Sequence, residues 1–285
     1  MPRVKQLILG VAFVAEVGCL LVGSALIARF VLSGLGLDRA AADHALLDQV
    51  PPQWAAAALA MAVMMIVRWS VALGAAELIS RRRNYSIVHP VDVEGRWPIG
   101  RAMLLGVAVG MVLYLPSALT RYYHFEIAPV GQTPPLWPII YTSSWTGGFW
   151  LFMAVSSFFL VPIVEEAFFR GYVLGRLHRL YTPRTAIIMS AILFAAVHGQ
   201  YLKPDAFSLF NSAMVLVGGL ALAWLVVKTR TLVPALLEHG YANTPHPLTW
   251  IGLDIAAATI GAVTIWILLR GRQDGLRPSR AAEAT

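Results

Sequence analysis

Val164-Glu165-Glu166-Ala167-Phe168-Phe169-Arg170-Gly171-Tyr172 sets two adjacent carboxylates and an arginine inside an apolar run that extends from Gly148 to Arg176. A charged group at bilayer depth is unfavourable by roughly 2.5–3.5 kcal/mol on insertion scales. Three such groups within one and a half helical turns need a reason to be there. The surrounding sequence reads as the scaffold that holds them at depth and brings partners to them.

Composition sets the class. The chain has 285 residues, of which 58% are hydrophobic and 13% charged, and its mean hydropathy is +0.67. Soluble domains carry about a quarter charged residues. The sequence therefore specifies an all-α, polytopic membrane protein. Apolar spans cover 7–27, 54–79, 102–119, 148–180, 185–198, 209–227, 231–243 and 250–269. A full crossing takes about 17–25 residues. The fifth and seventh spans fall short of this, as helices that stop within a bundle do. No polar segment is long enough to fold alone, so residues 1–270 read as a single transmembrane helical domain, with 271–285 a disordered cytoplasmic tail.

The net charge of +7 is no nucleic-acid signal, because the basic residues sit in short loops between apolar spans. Sorted by side, sixteen lysines and arginines fall on one face, and only Arg29, Arg39, Arg121 and Lys203 on the other. That bias orients eight spans with both termini cytoplasmic, in a multi-pass protein of the cell membrane. The first span contains Glu16 and is longer than a signal-peptide core, so it is expected to remain uncleaved. Cys19 is the one cysteine and can form no intrachain disulfide.

Spacing brings the polar residues together. Pro162 is expected to kink the fourth span. Glu165 lies fifteen residues before Leu180, about 22 Å along a helix. His198 lies fourteen residues after Arg184, about 21 Å along the next helix. An antiparallel hairpin therefore places the two at equal depth. His239 and Asn243, four residues apart, share one face of the seventh span. Glu165 and Glu166 point about 100° apart and so have different tasks. Arg170 follows Glu166 by four residues, the favoured spacing for an intrahelical ion pair. This leaves Glu165 as a desolvated carboxylate suited to general-base work.

Glu165-Glu166-x-x-x-Arg170, then Phe194-x-x-x-His198, then His239-x-x-x-Asn243, in this order on successive membrane helices, resemble the motifs of the CPBP family. These are the CAAX-protease and bacteriocin-processing intramembrane proteases, related to the type II CAAX prenyl endopeptidases. The resemblance covers 162–243 and marks 148–243 as the catalytic core. It implies an eight-helix bundle with a conical polar cavity open to the cytoplasm. It also implies hydrolysis of a peptide bond in a membrane-associated peptide, prenylated at its C-terminus or of leader type. Position by position, Glu165 resembles the glutamate that activates water, with His198 beside it. His239 and Asn243 resemble the oxyanion-stabilising pair, and Glu166 and Arg170 the supporting remainder of the first motif.

No cofactor is favoured. The alternative is a zinc-dependent protease with Glu165, His198 and His239 as ligands, but the sequence has no His-Glu-x-x-His and Asn243 is a better donor than ligand. His246 is a second candidate for the third histidine. Ser156-Ser157 lacks a Gly-x-Ser-x-Gly context and is no serine nucleophile. Glu16, Arg68 and Glu77 are expected to be structural. The competing functions are a non-catalytic membrane scaffold, immunity factor or chaperone that binds peptides, and a transporter. A free glutamate at depth argues against the first, and the absence of internal repeats against the second. The expected partners are a membrane-associated peptide or protein substrate and the lipid bilayer, with no nucleic acid.

Overall fold

A long apolar run in lipid leaves backbone amides no partner but one another, and helices satisfy them all within the segment. The computed structural model of the chain describes residues 3–37, 53–88, 90, 91, 94–123, 151, 155–198, 204–244, 246 and 250–270. Among these residues there are eight helices and no strand. They are α1 (Arg3–Gly34), α2 (Gln53–Arg82), α3 (Ile99–Tyr122), α4 (156–180), α5 (Pro183–Ala196), α6 (Ala206–Thr229), α7 (Val233–Asn243) and α8 (Ile251–Arg270). The segment 271–285, the start of the fourth span at 148–150, and His44 and His124 lie outside the described residues.

Five helices, α1, α2, α3, α6 and α8, contain stretches long and apolar enough to cross a membrane. Helices α5 and α7 have 14 and 11 residues and are the short pair expected from the sequence. Helix α4 is the hub, packing against α2, α5, α6 and α7, while α3 packs against α7 and α8.

Helix α4 is not a uniform α-helix. Ser156–Leu160 and Ala167–Leu174 are wider π-helical turns that flank the α-helical segment Val161–Glu166. Pro162 accounts for the first. A regular α-turn would aim the Phe158 carbonyl at a residue with no N–H, and the wider turn avoids the ring. The disturbance expected at Pro162 thus takes the form of a π-turn. Helix α5 begins cleanly after a short turn, because the Thr182 side chain accepts from the Thr185 amide at 3.3 Å and Pro183 occupies the first turn.

Two glycines fix the short helix α7. A Cβ at Gly106 of α3 would run into the backbone of Pro234, and a Cβ at Gly240 of α7 would meet the Phe158 carbonyl at 2.5 Å. Helix α7 therefore lies in backbone contact with both α3 and α4, which suits helix association in lipid.

The arginine-rich helix ends are tied together at one end of the bundle. Arg96 donates to Thr231 Oγ1 at 3.0 Å, and the Trp97 amide to the Thr229 carbonyl at 3.2 Å. Arg101 donates to the Leu268 carbonyl. Gln6 donates to the Leu180 carbonyl at 3.4 Å, and the Tyr181 hydroxyl to the Gln6 carbonyl at 2.9 Å. Above this end sits the core, where Phe168, Phe169, Tyr172, Leu174 and Leu177 of α4 are fully buried with Phe13 and Trp69. The early-span charges are structural, as expected. Glu16 accepts from Arg83 at 2.8 Å and from the Tyr172 hydroxyl, Glu77 pairs with Arg81 at 2.8 Å, and Arg68 lies over the Trp69 ring.

Candidate active site

Adjacent residues on a helix diverge by about 100°, and this separates the two glutamates. Glu166 is turned into the core with no exposed surface, whereas the Glu165 side chain is 14% exposed and lines a cavity. Glu166 Oε1 accepts from Arg170 Nη1 at 3.0 Å, the ion pair the spacing predicted. It also accepts from His239 Nδ1 at 2.8 Å. Arg170 also donates to the Gly219 carbonyl at 3.3 Å and lies over the face of Phe194 at 4.2 Å. A buried ion pair is tolerable only with such additional partners.

Helix α7 carries His239 against α4. With Nδ1 held by Glu166, its Nε2 faces Glu165 Oε2 at 3.8 Å. In the doubly protonated ring, Nε2–H can be given to an oxyanion, with the two carboxylates in place as counter-charges. Asn243, the last residue of α7, is exposed and lines the same cavity one turn further on.

His198 stands two residues beyond α5. Its Nδ1 lies 2.8 Å from the Phe194 carbonyl. A carbonyl only accepts, so Nδ1 carries the hydrogen and Nε2 of the neutral ring is an acceptor. Phe194 has a wider role than its own motif suggested. Its ring lies 4.6 Å from that of His198 and 5.8 Å, edge-on, from that of His239, and it also carries the Arg170 guanidinium.

The cavity has a volume of about 330 Å³. Glu165, His198, His239 and Asn243 all line it. Sequence reasoning gave no site role to Tyr114, Arg121, Asn211 or Glu238, which line it too. Glu238 is 2% exposed, and its Oε2 has no hydrogen-bond partner among the described residues. The signal for Glu238 was available, since a carboxylate inside an apolar helix incurs the same insertion penalty that drew attention to Glu165. Arg121 was sorted as a loop-side charge but is buried under Tyr114, its guanidinium 4.8 Å from that ring. His246 pairs with Asp254 of α8 at 2.8 Å, and it is His239 that faces the cavity.

Among the described residues, no group of three His, Cys, Asp or Glu side chains is arranged to hold a metal ion.

No curated protein and no solved structure matches the chain. The family model described as type II CAAX prenyl endopeptidase Rce1-like does match, over residues 147–245. This region holds all three motifs, and with them Glu165, Glu166, Arg170, His198, His239 and Asn243. The apolar helices indicate a multi-pass membrane protein, and its segment 147–245 is similar, at the level of family, to the type II CAAX prenyl endopeptidase Rce1-like proteins.

Proposed function

We propose that the protein is an endopeptidase that hydrolyses a peptide bond of a membrane-associated peptide, without a metal. The observation that carries this reading is the convergence of Glu165, His198, His239 and Asn243, from three separate segments, on one cavity. Glu165 takes a proton from a water whose second hydrogen bond goes to His198 Nε2. The hydroxide attacks the scissile carbonyl carbon, and the charge that develops on oxygen is met by Asn243 Nδ2–H and His239 Nε2–H. One such donor contributes about 3–4 kcal/mol in the transition state. The intermediate collapses, the C–N bond breaks, and Glu165 returns its proton to the leaving nitrogen. Glu166 and Arg170 stay out of the chemistry and fix the His239 ring. The substrate is a peptide held at the membrane, of prenylated C-terminal or leader type.

The test is cleavage of a membrane-tethered peptide by the wild-type protein and by Glu165→Gln. The variant should be inactive, and retained turnover rejects the assignment. Turnover should also survive strong chelators. Activity that is lost on chelation and restored by zinc rejects the metal-free route.

A further inference from the structure

Among the described residues, α3, α4, α5 and α7 line the cavity through the half remote from their basic ends, and α6 does so from near its start to just past its middle. Helix α3 contributes Tyr114, Ser117 and Arg121, all from its last ten residues, while Arg101 marks its start. Helix α4 contributes Val161 and Glu165 from its first half, with Arg176 and Arg179 near its end. The cavity takes Phe194 and His198 from the end of α5 and beyond it, whereas Arg184 lies at its beginning. Helix α6 contributes residues from Asn211 to Leu222, all short of its last turn, with Lys228 and Arg230 at its basic end. Helix α7 contributes its closing turns.

The other direction is closed. Below Glu165, towards the basic end, Phe168, Phe169, Tyr172, Val173 and Leu174 have no exposed surface. The segment after α2 seals them further. Tyr85 stacks on Tyr172 with centroids 6.3 Å apart, and the backbone at Ile87 and Pro90 presses on Gly171 and Gly175.

Lysines and arginines in short loops stay on the cytoplasmic side. Among the described residues, the end remote from them carries only Arg29 and Arg121. We infer that the cavity opens towards the non-cytoplasmic half of the membrane. A cytoplasmic mouth, which the motif resemblance implies, and cytoplasmic termini, which the charge pattern implies, are incompatible in this fold, and the charge pattern is carried by this chain's own residues. On the protease reading, from which this consequence follows, the substrate is a membrane-anchored polypeptide whose cleaved segment has already crossed the bilayer.

The experiment uses full-length protein in spheroplasts of an expressing bacterial host, with Cys19→Ser as background and one cysteine added at a time. Ser117→Cys lines the cavity, Thr244→Cys follows Asn243, and Ser86→Cys sits in the exposed segment at the basic end. A membrane-impermeant sulfonated maleimide should label Ser117→Cys or Thr244→Cys in intact spheroplasts, and Ser86→Cys only after lysis. Labelling of Ser86→Cys before lysis, or of neither cavity position, overturns the inference. A tethered peptide displayed outside should be cut while the same peptide displayed inside is not, and the opposite preference also overturns it. Cleavage of neither peptide, with labelling as expected, rejects the protease reading and leaves the orientation standing.

Discussion

His239 Nδ1 lies 2.8 Å from Glu166 Oε1, the carboxylate oxygen that also receives Arg170 Nη1 at 3.0 Å. One buried carboxylate thus neutralises an arginine and sets the orientation of an imidazole from another helix. The ring is left with Nε2 turned towards Glu165. On the proposed mechanism, Glu166 is a positioning residue, and Glu165, one position earlier, touches the reacting water.

This separates stability from turnover. Glu166→Gln leaves Arg170 buried without its counter-charge, which is expected to destabilise the fold by about 3–5 kcal/mol. Adding Arg170→Met removes the orphaned charge and should restore most of that stability in thermal unfolding. Turnover should stay down by about 100-fold in the double variant, because an amide oxygen can still accept from His239 Nδ1 but no longer supplies the negative charge that supports the doubly protonated ring. Recovery of both properties would show that the carboxylate does no more than balance charge.

Phe194 holds His198, His239 and Arg170 at once. Phe194→Leu removes the ring and its contacts, each aromatic pair being worth about 0.5–1.5 kcal/mol beyond buried area. The expected result is a modest loss of stability with a clear fall in kcat and little change in KM, read from peptide cleavage by detergent-solubilised protein.

The two histidines of the third region are distinguishable. His246→Gln breaks the pair with Asp254, a side chain only 6% exposed. It should lower stability by about 1–3 kcal/mol while turnover per folded molecule is unchanged. His239→Gln should reduce turnover by 100-fold or more, about the worth of one oxyanion donor. Equal losses in the two would move the third histidine's role to His246.

Backbone contact positions the short helix α7. Gly106→Ala places a methyl against the Pro234 backbone, an overpacking that typically costs about 1–3 kcal/mol. It should also depress turnover, because α7 carries His239 and Asn243. Gly74→Ala in α2, where a Cβ meets nothing within 4 Å, is the matched control and should leave both unchanged.

The sequence alone determined what depends on distance along a chain. Helical rise placed Glu165 and His198 at one depth. The four-residue step paired Glu166 with Arg170, and run lengths picked out α5 and α7 as too short to cross. The order of three motifs was enough to resemble the family whose model matches 147–245. Tertiary structure decided what depends on rotation about helix axes and on contacts between distant segments. It gave His239 to Glu166, made Phe194 a shared wedge, and brought Glu238, Arg121 and Asn211 into the cavity wall. It also set all of these in the half of the bundle remote from the basic ends. Periodicity fixes which residues share a face, but only packing fixes which face meets which neighbour, and in lipid that choice rests on close backbone contact at glycines such as Gly106 and Gly240.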